Sequence, residues 1–136
     1  MSNWGDCLED NSVIRRSKDE KMANSLKEIA FERVKWIERL KVDENNSNFI
    51  FEAYYSSINE LIHAISALKG YKILNHLCLG FFLRDLLERE DLYRLFDDLR
   101  FKRNGLLYYG KEMDFETAKE AINKSKNLFK YLQAFL

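Results

Sequence analysis

The amino-acid sequence predicts an all-α domain, an antiparallel up-and-down helical bundle of four to five helices. Three observations lead there. Proline is absent from all 136 residues and glycine occurs at only five, so long helices meet few breakers. Apolar residues recur every three to five positions through most of the chain, and no stretch alternates apolar with polar long enough to make a strand. With 46% apolar content, a chain of this length buries a core without disulfides or metal.

Taken in order, residues 1–12 are polar, acidic and without period, which reads as a flexible terminus ahead of a single domain over 13–136. From Ile14 to Val42 the spacing of Met22, Leu26, Ile29, Val34, Ile37 and Leu40 predicts one helix with a single buried stripe. Asp43 to Asn48 is a polar break in which Ser47 or Asn48 suits the N-cap of the next helix. That second helix carries Phe51, Tyr54, Tyr55, Ile58, Leu61, Ile62, Ile65 and Leu68 and stops at Gly70, where a left-handed residue costs little. Ile73 to Leu87 is apolar enough to form a central, buried helix, followed by a bend at Glu88 to Asp91. A fourth helix places Leu92, Leu95, Phe96, Leu99 and Leu106 on one stripe and ends near Gly110. Asp114 caps the last, whose stripe is Ala118, Ala121, Ile122, Ser125, Leu128, Phe129 and Leu132.

Charge and motifs narrow the function. The chain has 22 basic and 22 acidic residues, so no global field draws it onto nucleic acid and any such contact is local. Cys7 and Cys78 lack the spacing of a zinc knuckle or a disulfide framework; a reducing cytoplasm is the simplest home, with Cys78 a small buried hydrophobe. Neither a membrane span nor a signal peptide is expected. Phosphate-loop, dinucleotide, zinc-protease and serine-hydrolase motifs are all missing. No cofactor and no metal are expected.

The one polar cluster that breaks the helical pattern runs from Arg100 to Gly110. Heptad steps from Phe96 reach Arg103, which therefore falls where a core residue belongs. Arg100, Asn104 and Tyr108 lie four apart and line an adjoining edge of the same helix. Together with Tyr109 they form a candidate ledge for a nucleotide or RNA: arginine presents a fork of donors to phosphate, asparagine donates and accepts, and tyrosine stacks on a base. The competing reading pairs Arg103 with a carboxylate such as Asp97 and leaves the tyrosines to cover the end of the core. Asn104-Gly105 is also a turn signal at which the helix could end. Asp97 and Asp98 suit solvated pairs with Arg100 and Lys102. His63 and His76 read as hydrogen-bonded core residues.

Two stretches resemble the HEPN family, small helical domains found beside minimal nucleotidyltransferases and in RNA-targeting toxin–antitoxin systems. One runs from Phe51 through Gly70-Tyr71 to Asn75-His76; the other joins Arg103-Asn104 with Tyr108-Tyr109-Gly110 and the helix after Asp114. The resemblance covers roughly residues 17 to 133. It implies a homodimer that partners a nucleotidyltransferase and binds a nucleotide or RNA. In active members a histidine a few residues beyond the arginine moves the 2′-hydroxyl proton without a metal. Here four residues separate Arg103 from Tyr108, and a phenol with a pKa of about 10 is a poor base at neutral pH. Binding is therefore the expected role. The rivals are a metal-independent ribonuclease toxin in which Tyr108 or Tyr109 replaces the histidine or is modified by the partner, and a dimerisation module without catalysis.

Overall fold

The structure, a computed structural model describing residues 1–136, is all-α apart from one short ribbon. Its elements are α1 (Trp4–Glu9), β1 (Val13–Arg15), α2 (Glu20–Ile37), α3 (Ser47–Lys69), β2 (Tyr71–Ile73), α4 (His76–Phe81, continued by a π turn over Phe82–Leu86), α5 (Glu90–Tyr109) and α6 (Phe115–Leu132), with a closing 3-10 turn at Gln133–Phe135. The six helices exceed the expected four to five because the N-terminal segment, read as a flexible terminus, forms α1.

Asn3 caps α1 by accepting from the Asp6 amide, and Trp4 and Cys7 are buried. The Trp4 ring meets Tyr71 edge-on at 5.2 Å and Phe82 at 5.6 Å. Cys7 is bonded to Cys78 in a disulfide, with Cα atoms 6.2 Å apart, which corrects the expectation of unlinked cysteines. The pair lies 71 positions apart in sequence; only the return of α1 onto α4 brings the sulfurs together, and spacing carries no trace of it.

The helix expected from Ile14 starts at Glu20, where Asp19 caps it by accepting from the Met22 amide. Upstream, β1 pairs antiparallel with β2 in the register Val13↔Ile73, Ile14↔Lys72 and Arg15↔Tyr71. Strands of three residues are too short to display an alternation, hence the missed ribbon. The buried stripe of α2 is Ala23, Ala30 and Val34, while Met22, Ile29 and Leu40, expected inside, are exposed. Alanine wins these positions because Ala23 packs on Ala64 and Ala67 of α3, a contact that larger side chains would hold apart.

Helix α3 runs through the core. Phe51, Tyr54, Tyr55, Ile58, Leu61, Ile62 and Ile65 are all buried, each such side chain contributing roughly 1.5–3 kcal/mol of apolar burial. Neither expected cap serves it: Asn46 is the N-cap and makes no side-chain cap bond. Ser47 is buried instead, and Asn48 reaches across to the Met113 backbone, donating at 3.1 Å and accepting at 3.0 Å. Gly70 ends α3 with φ of 84°, and a Cβ there would stand 2.8 Å from the Arg16 carbonyl oxygen.

The segment expected to be helical from Ile73 begins its helix at His76, after β2. Asn75 accepts from the Cys78 amide and starts α4. The fourth and last predicted helices match α5 and α6: Gly110 closes α5 with φ of 58°, and Asp114 caps α6 through the Thr117 amide. The Asn104-Gly105 turn signal is overridden, since α5 continues through both. Every residue of the predicted stripe on α6 is buried. Helices α2 and α6 flank α3, and α5 packs on α4, α6 and α3.

Candidate phosphate-binding cleft

Leu92, Phe96 and Leu99 pin α5 to the core, with Phe96 stacked on Tyr55 at 5.8 Å. One turn on, the stripe delivers Arg103 to the same neighbour: its guanidinium carbon sits 5.3 Å from the Tyr55 ring centre. No carboxylate pairs with it. Asp97, the expected partner, is held instead by Arg100, whose Nε and Nη2 donate at 3.0 and 2.9 Å. Asp98 takes Lys102 at 2.7 Å and Lys124 at 3.3 Å. Arg103 thus has an aromatic seat and free donors.

Facing α5 is the turn Leu74–Leu77. The Asn75 cap places His76 in the first turn of α4, and His76 Nδ1 lies 2.9 Å from the Tyr55 hydroxyl. Between the two walls lies a cleft of about 400 Å³, lined on one side by Arg100, Arg103, Asn104 and Tyr108 and on the other by Leu74, Asn75, His76 and Leu77. The structure therefore brings together four of the five predicted site residues. Tyr109 is separated from them: it is 81% exposed and borders another hollow with Phe101, Gly105 and Lys111. Adjacent residues on a helix point about 100° apart, so the tyrosine pair cannot serve one site. Asn104 lines both hollows.

Burial drives the electrostatics here. It pushes the His76 imidazole down to about 4, helped by the positive charges of Arg103 and Arg100. Burial also raises the Tyr55 phenol to about 12, against the pull of Arg103 and Arg100. At neutral pH both groups are uncharged, and Arg103, which no carboxylate offsets, supplies most of the positive charge of the cleft, Arg100 being paired with Asp97. Such an arrangement has the chemistry to accept an anion: guanidinium forks suit phosphate oxygens, an amide such as that of Asn104 both donates and accepts, and the Tyr108 ring offers a stacking face.

Sequence reasoning did not connect His76 or Tyr55 to this site. The usable signal was Asn75, a strong cap residue directly before the histidine, which fixes His76 at a helix start and therefore beside a turn. No group of three His, Cys, Asp or Glu side chains converges to hold a metal ion anywhere in the fold, and no helix is long and apolar enough to cross a membrane. The chain finds no match among protein-family models, curated proteins or solved structures.

Proposed function

We propose that this protein is a HEPN-type bundle that binds the phosphate of a nucleotide or of RNA in the α4–α5 cleft, acting as a homodimer beside a minimal nucleotidyltransferase in a cytoplasmic toxin–antitoxin-type system. One observation carries the reading: Arg103 has no carboxylate partner and faces a cleft it shares with Arg100, Asn104, Tyr108 and His76. Charge-assisted bonds from guanidinium to phosphate are about twice as strong as neutral ones. Titration calorimetry with adenosine monophosphate and with a short single-stranded RNA tests it. Saturable binding lost in Arg103→Ala is expected; wild-type affinity in that variant ends the proposal.

A second reading, metal-independent ribonuclease activity, is favoured by His76, an imidazole unprotonated at neutral pH and oriented by Tyr55. In that reaction the imidazole takes the 2′-hydroxyl proton, the 2′-oxygen attacks phosphorus, and the 5′-oxygen leaves with a proton from solvent. An imidazole near 4 is a weak base, so binding is the primary function. Phosphate bound by Arg100 and Arg103 would offset their charge and raise His76 toward its ordinary value. Cleavage of the RNA that is lost in His76→Gln would promote the second reading.

Support for the dimer comes from Leu74 and Tyr108, side chains left more than half exposed at the cleft. Light scattering should give twice the chain mass of 16.3 kDa. In a reducing cytoplasm Cys7 and Cys78 would be held as thiols, so alkylation at lysis followed by thiol counting tests the compartment.

A further inference from the structure

A second hollow, of about 210 Å³, opens between the start of α2, the end of α3 and β2. It shares no lining residue with the α4–α5 cleft. Its walls are apolar, formed by Met22, Leu26, Ala67 and Ile73. The backbone sets where its two cationic residues stand. The ribbon register sets Lys72 opposite Ile14, and Arg16 is anchored by its amide, which donates to the Gly70 carbonyl at 2.9 Å.

Size, charge and hydrogen bonding each restrict the occupant. An apolar cavity of about 150 Å³ holds benzene, so 210 Å³ suits one aromatic ring with a small substituent. No Asp or Glu lines the hollow. Lys72 makes no ion pair, and Arg16 makes only a long one, with Asp19 at 4.0 Å outside the hollow's lining. The substituent is therefore an anion. The His63 imidazole also lines the hollow and makes no side-chain hydrogen bond within the protein, leaving its ring nitrogens for a ligand. Burial holds it below its ordinary value, and hence neutral.

We infer that this hollow is a binding site for a small aromatic carboxylate, its ring against Leu26, Ala67 and Ile73 and its carboxylate between Arg16 and Lys72. Charge complementarity selects the anion, and the apolar walls select a ring over inorganic phosphate, which has no surface to bury there. The site is independent of the phosphate cleft.

The test is a titration of the full chain with benzoate, followed by NMR at the methyl groups of Leu26 and Ile73, with benzamide as the neutral isostere. Saturable shifts at both methyls are expected, with benzamide binding about tenfold more weakly because it forfeits the charge-assisted bonds. Lys72→Glu, at an exposed strand position, should abolish the shifts while near-ultraviolet circular dichroism stays native. His63→Phe keeps a ring in place and should weaken benzoate severalfold. The inference is overturned by an absence of saturable shifts at millimolar benzoate, by benzamide binding as tightly, or by unchanged binding in Lys72→Glu. Shifts confined to the methyls of Leu74 and Leu77, which line the phosphate cleft, would send the anion there and also overturn it.

Discussion

Helix α6 and the second half of α5 start from the same local rule and end differently. In α6 the stripe from Ala118 to Leu132 is buried without a break, and its lysines and glutamates face outward. In α5 the stripe holds through Leu92, Phe96 and Leu99 and then presents Arg103, while Phe101, Leu107, Tyr108 and Tyr109 turn to solvent. The first arrangement minimises free energy by covering apolar surface. The second leaves apolar surface wet and puts a guanidinium over a ring, a local inconsistency of the kind that concentrates at functional sites.

Changes on the two helices should therefore register in different measurements. The largest expected effect is on α6: Leu128→Ala, at a fully buried position, should cost about 3 kcal/mol in denaturant unfolding and leave phosphate affinity intact. Arg103→Ala should do the reverse. It strands no buried charge, because no carboxylate depends on Arg103, so stability should fall by less than about 1 kcal/mol while phosphate binding weakens at least about tenfold. A loss of several kcal/mol in that variant would make Arg103 a structural residue and erase the contrast.

Proton linkage sharpens it further. His76 has a folded pKa near 4, below the ordinary value of about 6.5, so the folded state binds fewer protons than the unfolded one between these limits. Its stabilising contribution is complete above about pH 6.5 and lost as pH falls to about 4. Because the residue is only half-buried, screening reduces this to on the order of 1–2 kcal/mol. Stability curves of wild type and His76→Gln should converge across that window; parallel curves would show that the imidazole titrates normally. The smallest effect belongs to Tyr108→Phe, which keeps the stacking face and loses one hydroxyl: about a threefold drop in affinity by calorimetry. A collapse of binding in that variant would make the hydroxyl, not the ring, the contact.

What the sequence disclosed follows the range of the interactions involved. Helix α6 was legible in its cap and stripe because both are set by neighbours three and four positions away. Gly70 and Gly110 were legible for the same reason, as local stops. The α2 stripe was legible at Val34, which is buried as expected, but not at Ala23, which looks unremarkable alone and matters only against Ala64 and Ala67 of another helix. Of the candidate site, the α5 wall was visible in the spacing of Arg100, Arg103, Asn104 and Tyr108. The opposite wall was not, since nothing in the spacing on α5 reveals that Tyr55 joins Arg103 to His76.

The bond between Cys7 and Cys78 also has a mechanical meaning. A chain stretched from its two ends would carry load through the disulfide and bypass the segment between those residues, which stand 71 positions apart and enclose all of α2 and α3. Each residue adds at most about 3.3–3.6 Å of extended length, so the bypassed segment withholds roughly 230–260 Å from an oxidised molecule. Under tension α5 and α6 would unravel against a covalently closed remainder, and a reductant added during the pull would release the missing length in one step.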